Sequence, residues 1–276
     1  MRMNNTLFLL CVVMLFSACA AAGKADDSAQ EDGDSATDLA KKTQNPVADL
    51  ISVPFQNNIN FETGPEGKTQ NILNIQPVIP ITLSEDWNLI TRTIVPVIHQ
   101  VPLFEGDNRL CGVGDTQFTA FFSPKKPNGW IWGVGPIFQF PTNSDDKLGK
   151  DKWAVGPSVV ALKMEGPWVY GALWNQLWSY AGDSDSEQVN QMLIQPFINY
   201  NMPKGWYLVS APIITADWVA DSSNQWTIPI GGGVGRVTKI GKQPVNWQIS
   251  GYYNVETPRN GADWQLRIQL QLLFPK

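Results

Sequence analysis

The chain has 276 residues, a formal net charge of −5 and only 16% charged residues, against roughly 25% in a typical soluble domain. The acidic balance and the absence of a basic stripe exclude a general nucleic-acid binder. One histidine, and one cysteine outside the leader, do not make a metal site, and no cofactor is expected.

Residues 1–23 have the layout of a secretory signal. Arg2 supplies the basic n-region, "LFLLCVVMLF" the apolar h-region and "ACAAAG" the small-residue cleavage region. The apolar run is about half the ~20 residues that a spanning helix needs, and no later stretch is long and apolar enough to be one. Two processing routes are open: cleavage after Ala20, leaving a signal peptide of 1–20, or a lipobox "FSAC" that would leave Cys19 lipidated. Phe16 stands where a lipobox usually has leucine. Cys111 is then alone in the body of the chain, so no intramolecular disulfide is expected there.

Residues 21–44 are small and acidic, with six carboxylates in "KADDSAQEDGDSATD", and are expected to be disordered. In "QNPVADLISVP", Asn45 is a good N-cap with Pro46 at the first helical position. A short helix is expected over 45–54, stopped at Pro54. Its apolar residues Val47, Leu50, Ile51 and Val53 need burial, which makes it a candidate periplasmic plug.

From Phe55 to the C-terminus about twelve strand-like segments follow: 55–63, 70–83, 87–100, 115–123, 130–141, 152–163, 168–180, 189–200, 206–217, 225–237, 244–256 and 263–275. Most exceed the soluble norm of ~5–6 residues and reach the ~9–11 that a tilted membrane strand needs. The connections alternate between short ("SED", "PKKPNG", "MEGP", "NMPKG", "TKIGKQ") and longer, as in an outer-membrane barrel.

Tryptophan is sorted to the strand ends. Trp87, Trp130, Trp168 and Trp206 open strands after short turns, the last three spaced by 38 residues. Trp153, Trp226 and Trp264 open strands after long loops, and Trp178 and Trp218 close strands leading into them. Two aromatic girdles at membrane–water interfaces account for this, because indole is apolar yet its N–H needs a wet partner.

The strands alternate in polarity with period two. In 189–200, Met192, Ile194, Ile198 and Tyr200 oppose Gln191, Gln195 and Asn199. In 244–256, Val245, Trp247, Ile249, Tyr253 and Val255 oppose Asn246, Gln248, Ser250, Asn254 and Glu256. The closing segment "WQLRIQLQLLFPK" sets Trp264, Leu266, Ile268, Leu270, Leu272 and Phe274 against Gln265, Arg267, Gln269 and Gln271. Lipid is expected on the apolar face and a wet, nearly neutral lumen on the amide face. Arg92, Gln191, Gln195, Asn246, Gln248, Glu256, Arg267 and Gln269 are the lumen-lining candidates. Arg267 either tunes selectivity there or pairs with Glu256.

Eight prolines inside these strands (Pro77, Pro80, Pro96, Pro136, Pro157, Pro196, Pro212 and Pro229) oppose a regular ladder. Bulges and glycine kinks would absorb them, giving an irregular barrel with a seam.

The stretches "AKKTQNPVADLISVPFQNNINF", "NIQPVIPI", "WNLITRTIVPVI", "GVGDTQ", "WGVGPIFQFPT", "GPWVYGALWNQLWSYAG" and "LLFPK" resemble a bacterial outer-membrane transporter family. It is named for the MetA pathway of phenol degradation, and some members carry the misleading name neuromedin U. The likeness runs from about Ala40 to Lys276 and includes several of the prolines. It implies an outer-membrane barrel, with passage of small hydrophobic or aromatic compounds in some members, and it supplies no binding residues.

The rival signals are weaker. An esterase at His99 would need a serine nucleophile beside it, and no nucleophile-elbow context is present. Asp145, Asp146, Asp183, Asp185 and Glu187 fall in outer loops, where solvated charge is the plainer account than ion binding at lipopolysaccharide. "IGGGVGR" at 230–236 lacks the Lys-Ser/Thr of a nucleotide loop. The reading is therefore all-β: an up-and-down antiparallel transmembrane β-barrel of about 12 strands over 55–276, with a short N-terminal helix or extension. It is expected in the outer membrane, passing small neutral or hydrophobic solutes by diffusion and not acting as an enzyme. A lipid-acting barrel enzyme and a structural barrel are the alternatives. Expected partners are outer-membrane lipid, lipopolysaccharide and, through 263–275, the barrel-assembly machinery.

Overall fold

The computed structural model describes residues 36–104, 106 and 108–275. The leader, Cys19 and the acidic residues up to 35 lie outside the described residues. From residue 51 the chain forms fifteen strand segments in one antiparallel sheet. They are β1 (Ile51–Thr63), β2 (Lys68–Ile75), β3 (Val78–Thr82), β4 (Trp87–Gln100), β5 (Leu110–Val113), β6 (Thr116–Pro124), β7 (Ile131–Phe140) and β8 (Lys152–Glu165). The remainder are β9 (Trp168–Gly182), β10 (Asn190–Asn201), β11 (Trp206–Ser210), β12 (Ile214–Asp217), β13 (Trp226–Ile240), β14 (Gln243–Glu256) and β15 (Trp264–Phe274). β2 with β3, β5 with β6, and β11 with β12 are each one wall strand broken in the middle. The wall therefore has twelve strands, matching the twelve segments of the polarity pattern.

The sheet closes on itself. β15 pairs with β1 in unbroken register from Ile51↔Phe274 to Phe61↔Trp264. Closure leaves no long edge whose N–H and C=O groups would face hydrocarbon, the condition for spanning a bilayer with strands. Along β15, Trp264, Ile268, Leu270 and Phe274 are exposed on the outside, whereas Arg267 and Gln271 are buried inside. For this chain exposure marks the lipid face and burial the lumen, the reverse of a soluble domain. Aromatic rings pair at both rims: Trp87–Trp132, Trp168–Tyr200 and Trp206–Trp247 meet edge to face at the short-turn end, Phe140–Trp153 and Trp218–Trp226 do so at the other, and Phe61 stacks on Trp264 there.

The prolines sit where the ladders are already interrupted. Pro96 pairs with Asn74 of β2, and on its other side the strand is broken between β5 and β6. There the Gly114 N–H donates to the Pro96 carbonyl at 2.9 Å. Pro196 pairs with Ala172 of β9 and faces the gap at 211–213, which contains Pro212. Pro77 lies in the β2–β3 break, Pro229 at a register shift between β13 and β14, and Pro80 pairs only with Ile90 of β4.

Pro136 and Pro157 face each other across β7 and β8, and each follows a glycine. On the far side of each the pairing is interrupted without a change of register, between Thr119↔Ile137 and Phe122↔Val134 and between Val155↔Trp178 and Ser158↔Asn175. A Cβ on Gly135 would stand 1.8 Å from the Ala120 carbonyl oxygen, and one on Gly156 would stand 1.8 Å from that of Gln176. Glycine is required there because the neighbouring backbone occupies the place of a side chain.

The N-terminal segment differs from expectation. Residues 36–43 are helical, where disorder was expected, and 45–50 form turns and irregular chain instead of a helix. The Asn45 side chain accepts from Val47 N–H at 3.0 Å, and Ala48 N–H donates to the Asn45 carbonyl at 3.2 Å. Asn45 thus makes an Asx turn that ends one helix and does not start another. Pro54 lies inside β1, opposite Gln271.

The glycine–proline arrangement yields a test. Gly156→Val is expected to destabilise the barrel by at least ~1–3 kcal/mol through overpacking, lowering its urea midpoint in heat-modifiable electrophoresis. Gly251→Ala, where an added Cβ meets nothing within 4 Å, should leave that midpoint unchanged.

Candidate functional site

The lumen holds a cavity of about 170 Å³ bounded by the barrel wall and by residues 42–50. Of the sequence candidates, Arg92, Gln195, Asn246, Gln248, Arg267 and Gln269 line it. Gln191 stands nearer the outer end and donates to Asp217 Oδ2 at 3.1 Å. Glu256 is exposed at the outer end of β14. It is six residues along that strand from Ser250, the partner of Arg267, a distance of ~20 Å at the strand rise. The expected Glu256–Arg267 pair does not form. Gln56, Gln76, Gln271, Tyr207, Asn199 and Phe197 also line the cavity and were not singled out as candidates. Gln56 and Gln271 follow from the same alternation. Tyr207 and Phe197 do not, because aromatic residues on an inner face carry no polarity signal.

The amides are mutually bonded. Tyr207 OH donates to Asn246 Oδ1 at 2.8 Å, and Asn246 Nδ2 donates to Gln271 Oε1 at 3.1 Å. Toward the outer end a relay crosses four strands: Gln265 to Asn60 at 2.8 Å, Asn60 to Gln70 at 2.7 Å, and Gln70 to Gln100 at 2.7 Å. Amides offer both donors and acceptors, so such a lining satisfies itself without fixed charge.

Two guanidinium groups interrupt that neutral lining. Arg267, 3% exposed, donates from Nε to Asn58 Oδ1 at 3.2 Å, from Nη1 to the Ala211 carbonyl at 3.0 Å and from Nη2 to Gln265 Oε1 at 3.1 Å. Its guanidinium also lies 4.7 Å from the Tyr252 ring centre. Arg92 donates from Nη2 to Gln76 Oε1 at 2.5 Å. Both arginines therefore hold breaks in the wall, since Gln76 precedes Pro77 and Ala211 precedes Pro212. No aspartate or glutamate lines the cavity. The expectation of a nearly neutral lumen is qualified at this cavity: among the described residues its lining is amide-rich and its charged groups are all positive.

The N-terminal segment crosses the lumen at the short-turn end. Gln44 and Asn201 exchange two amide hydrogen bonds, at 2.9 and 3.0 Å, and Thr37 Oγ1 accepts from Gly205 N–H at 3.3 Å. Val47 packs on one wall with Ile90, Phe121, Val160 and Leu162. Ala40, Ala48 and Leu50 pack on the opposite wall with Tyr207, Val209, Val237 and Leu273. Gly133 makes room for it, because a Cβ there would stand 2.9 Å from Val47 Cγ1.

His99 is exposed at the outer end of β4, opposite Cys111, and no serine hydroxyl is bonded to it among the described residues. The outer-loop carboxylates make local contacts. Asp145 accepts from Lys147 N–H at 3.0 Å, and Asp183 accepts from Asp185 N–H at 2.9 Å. Lys150 bonds Glu187 across two loops and holds its carboxyl below the ordinary range. Among the described residues no group of three metal-ligating side chains forms. The predicted girdle residues Trp87, Trp130, Trp168, Trp153 and Trp264 are exposed on the outer surface, while Trp206 and Trp226 are half-buried in their indole pairs.

No family model matches the sequence, and no curated protein is detectably similar to it. Among solved structures, the chain is similar to the COG4313 outer membrane channel from Pseudomonas putida F1 at 16% identity and a TM-score of 0.65, covering 83% of this chain and 97% of that one. The chain has the fold of an outer-membrane β-barrel. The Salmonella typhi outer membrane phospholipase is matched at 11% identity and a TM-score of 0.46, over 87% of this chain and 97% of that one. OmpF of the same organism is matched at 10% identity and 0.38, over 82% of this chain and 96% of that one.

If the Gln44–Asn201 pair holds the segment in place, Asn201→Ala should loosen it. Trypsin cleavage at Lys41 and Lys42 is then expected to accelerate several-fold, with the barrel itself remaining heat-modifiable.

Proposed function

We propose that the protein is a bacterial outer-membrane channel for small solutes, with residues 36–50 acting as a constriction at the periplasmic end. The observation that carries this reading is the closed wall surrounding an amide-lined cavity, with one segment of the same chain packed across it. Its fold is similar to that of an outer membrane channel, and its sequence motifs resemble the phenol-degradation transporter family. An amide lining suits diffusion, because solute hydrogen bonds are exchanged with neutral groups and no single site holds the solute strongly. The enzyme alternative lacks a nucleophile bonded to His99.

A second, lateral path has its own observation. Between Ile194↔Ile214 and Ile198↔Ser210 the β10 ladder to β11 and β12 is interrupted. An outer-surface pocket opens at that gap, lined by Pro196, Phe197, Ile198, Ser210 and Pro212. Phe197 lines both this pocket and the lumenal cavity, so one aromatic ring stands between the lumen and the lipid. Hydrophobic solutes would leave sideways past it.

Planar-bilayer recordings separate these paths. Removing residues 24–50 is expected to raise single-channel conductance several-fold over the mature protein. Silence in both forms would abolish the axial pore. In liposomes, Phe197→Ala is expected to speed uptake of a hydrophobic probe such as toluene without changing ion conductance; equal changes in both would sink the lateral path.

A further inference from the structure

Several amides of the lumen bond one another, but its two arginines are not neutralised by any described residue. All their described hydrogen bonds go to neutral acceptors: Arg267 to Asn58, Gln265 and the Ala211 carbonyl, and Arg92 to Gln76. A guanidinium has five N–H donors. Arg267 uses three of them and Arg92 uses one, which leaves donors on both unmatched among the described residues. Lys42 of the N-terminal segment adds a third positive charge to the same cavity, and among the described residues no carboxylate lines it.

Composition does not explain this. The chain is acidic overall, with 25 Asp and Glu against 20 Lys and Arg, yet its lumenal cavity collects charge of one sign. Burying a cation without a counter-ion is costly unless an anion completes it. The same cavity also presents apolar side chains, Leu173, Phe197 and Val209. A ligand that fits both features has a carboxylate at one end and a compact apolar body at the other. Arginine binds carboxylate through paired N–H donors, so the recognition is geometric as well as electrostatic.

We infer that Arg92 makes the lumenal cavity a carboxylate-binding site, with Arg267 further along the same wall adding positive charge, and that it selects small amphiphilic monocarboxylates over neutral solutes of the same shape. The inference rests on reading the lumen as a solute path, and it narrows the solute class. The role of the arginines in holding the wall breaks at Gln76 and Ala211 is compatible with it. Arg92 is the better probe, because it makes one such contact and Arg267 makes three.

Equilibrium binding to the detergent-solubilised mature protein tests this apart from transport. Benzoate is expected to bind at least tenfold more tightly than benzyl alcohol, its near-isosteric neutral counterpart. Arg92→Gln should remove most of that difference while leaving benzyl alcohol binding unchanged, and Arg92→Lys should retain part of it, with folding checked by heat-modifiable electrophoresis. Equal affinity for the two probes in the unmutated protein overturns the site without recourse to any variant, and so does an unaltered ratio in Arg92→Gln. The chain's own acidic residues 24–35 are the other source of carboxylate. Deleting them should leave benzoate affinity unchanged, and a tenfold gain would assign the arginines to that segment and overturn solute recognition. Liposome flux of both probes is measured separately. Selective binding without flux overturns the channel reading and leaves the site standing, whereas flux of both probes with no preference for benzoate overturns the site and leaves the channel.

Discussion

A strand that crosses hydrocarbon must have every backbone polar group satisfied by protein, because no water is available to replace a missing partner. The rest of this structure follows from how that constraint is met. The β15–β1 register closes the wall and removes both edges at once. The prolines then reopen local gaps, and at two of them side chains take up freed backbone groups. Arg267 takes the Ala211 carbonyl, Tyr252 OH accepts from Ala211 N–H at 3.4 Å, and Ser210 Oγ donates to the Gly231 carbonyl at 2.7 Å. At the β2–β3 break, Gln76 N–H donates to the Pro54 carbonyl at 2.9 Å, while its side chain accepts from Arg92.

The lumenal polar residues therefore have two tasks. They line the cavity, and they also supply the partners that the interrupted ladders lack. This links the irregular wall to the chemistry of the interior: a barrel without the prolines would not need guanidinium groups at Gln76 and Ala211. The cavity is small because the N-terminal segment fills much of the lumen. At one of these breaks Phe197 lines both the lumenal cavity and the outer-surface pocket.

The strands were legible because two signals agreed. Period-two polarity sets the faces, and the sorting of indoles to strand ends sets the lengths. Both act within a single strand, so neither needs a fold to be read. The prolines were legible as an anomaly and not as a solution. Their accommodation depends on what stands one strand away, such as the Ala120 and Gln176 carbonyls that require glycine at 135 and 156. Asn45-Pro46 was misread for a similar reason. Its local chemistry serves a helix start or an Asx turn equally well, and the burial of Val47 and Leu50 on opposite walls decided for the turn.

By itself the sequence determined that the chain crosses a membrane with strands, that it uses about twelve, which side of each meets lipid, and that the interior is rich in amides. These are properties of alternation and composition along the chain. Only the tertiary structure decided which inward residues meet, and charge shows the difference most plainly. Arg267 and Glu256 share the inner polarity of neighbouring strands and looked like a pair, but the register sets them ~20 Å apart along the barrel. Arg92 and Arg267 lie far apart in sequence, and closure of the sheet brings them to one cavity. Alternation fixes the side of a strand and carries no information about height across the sheet, and the meeting of charges depends on height.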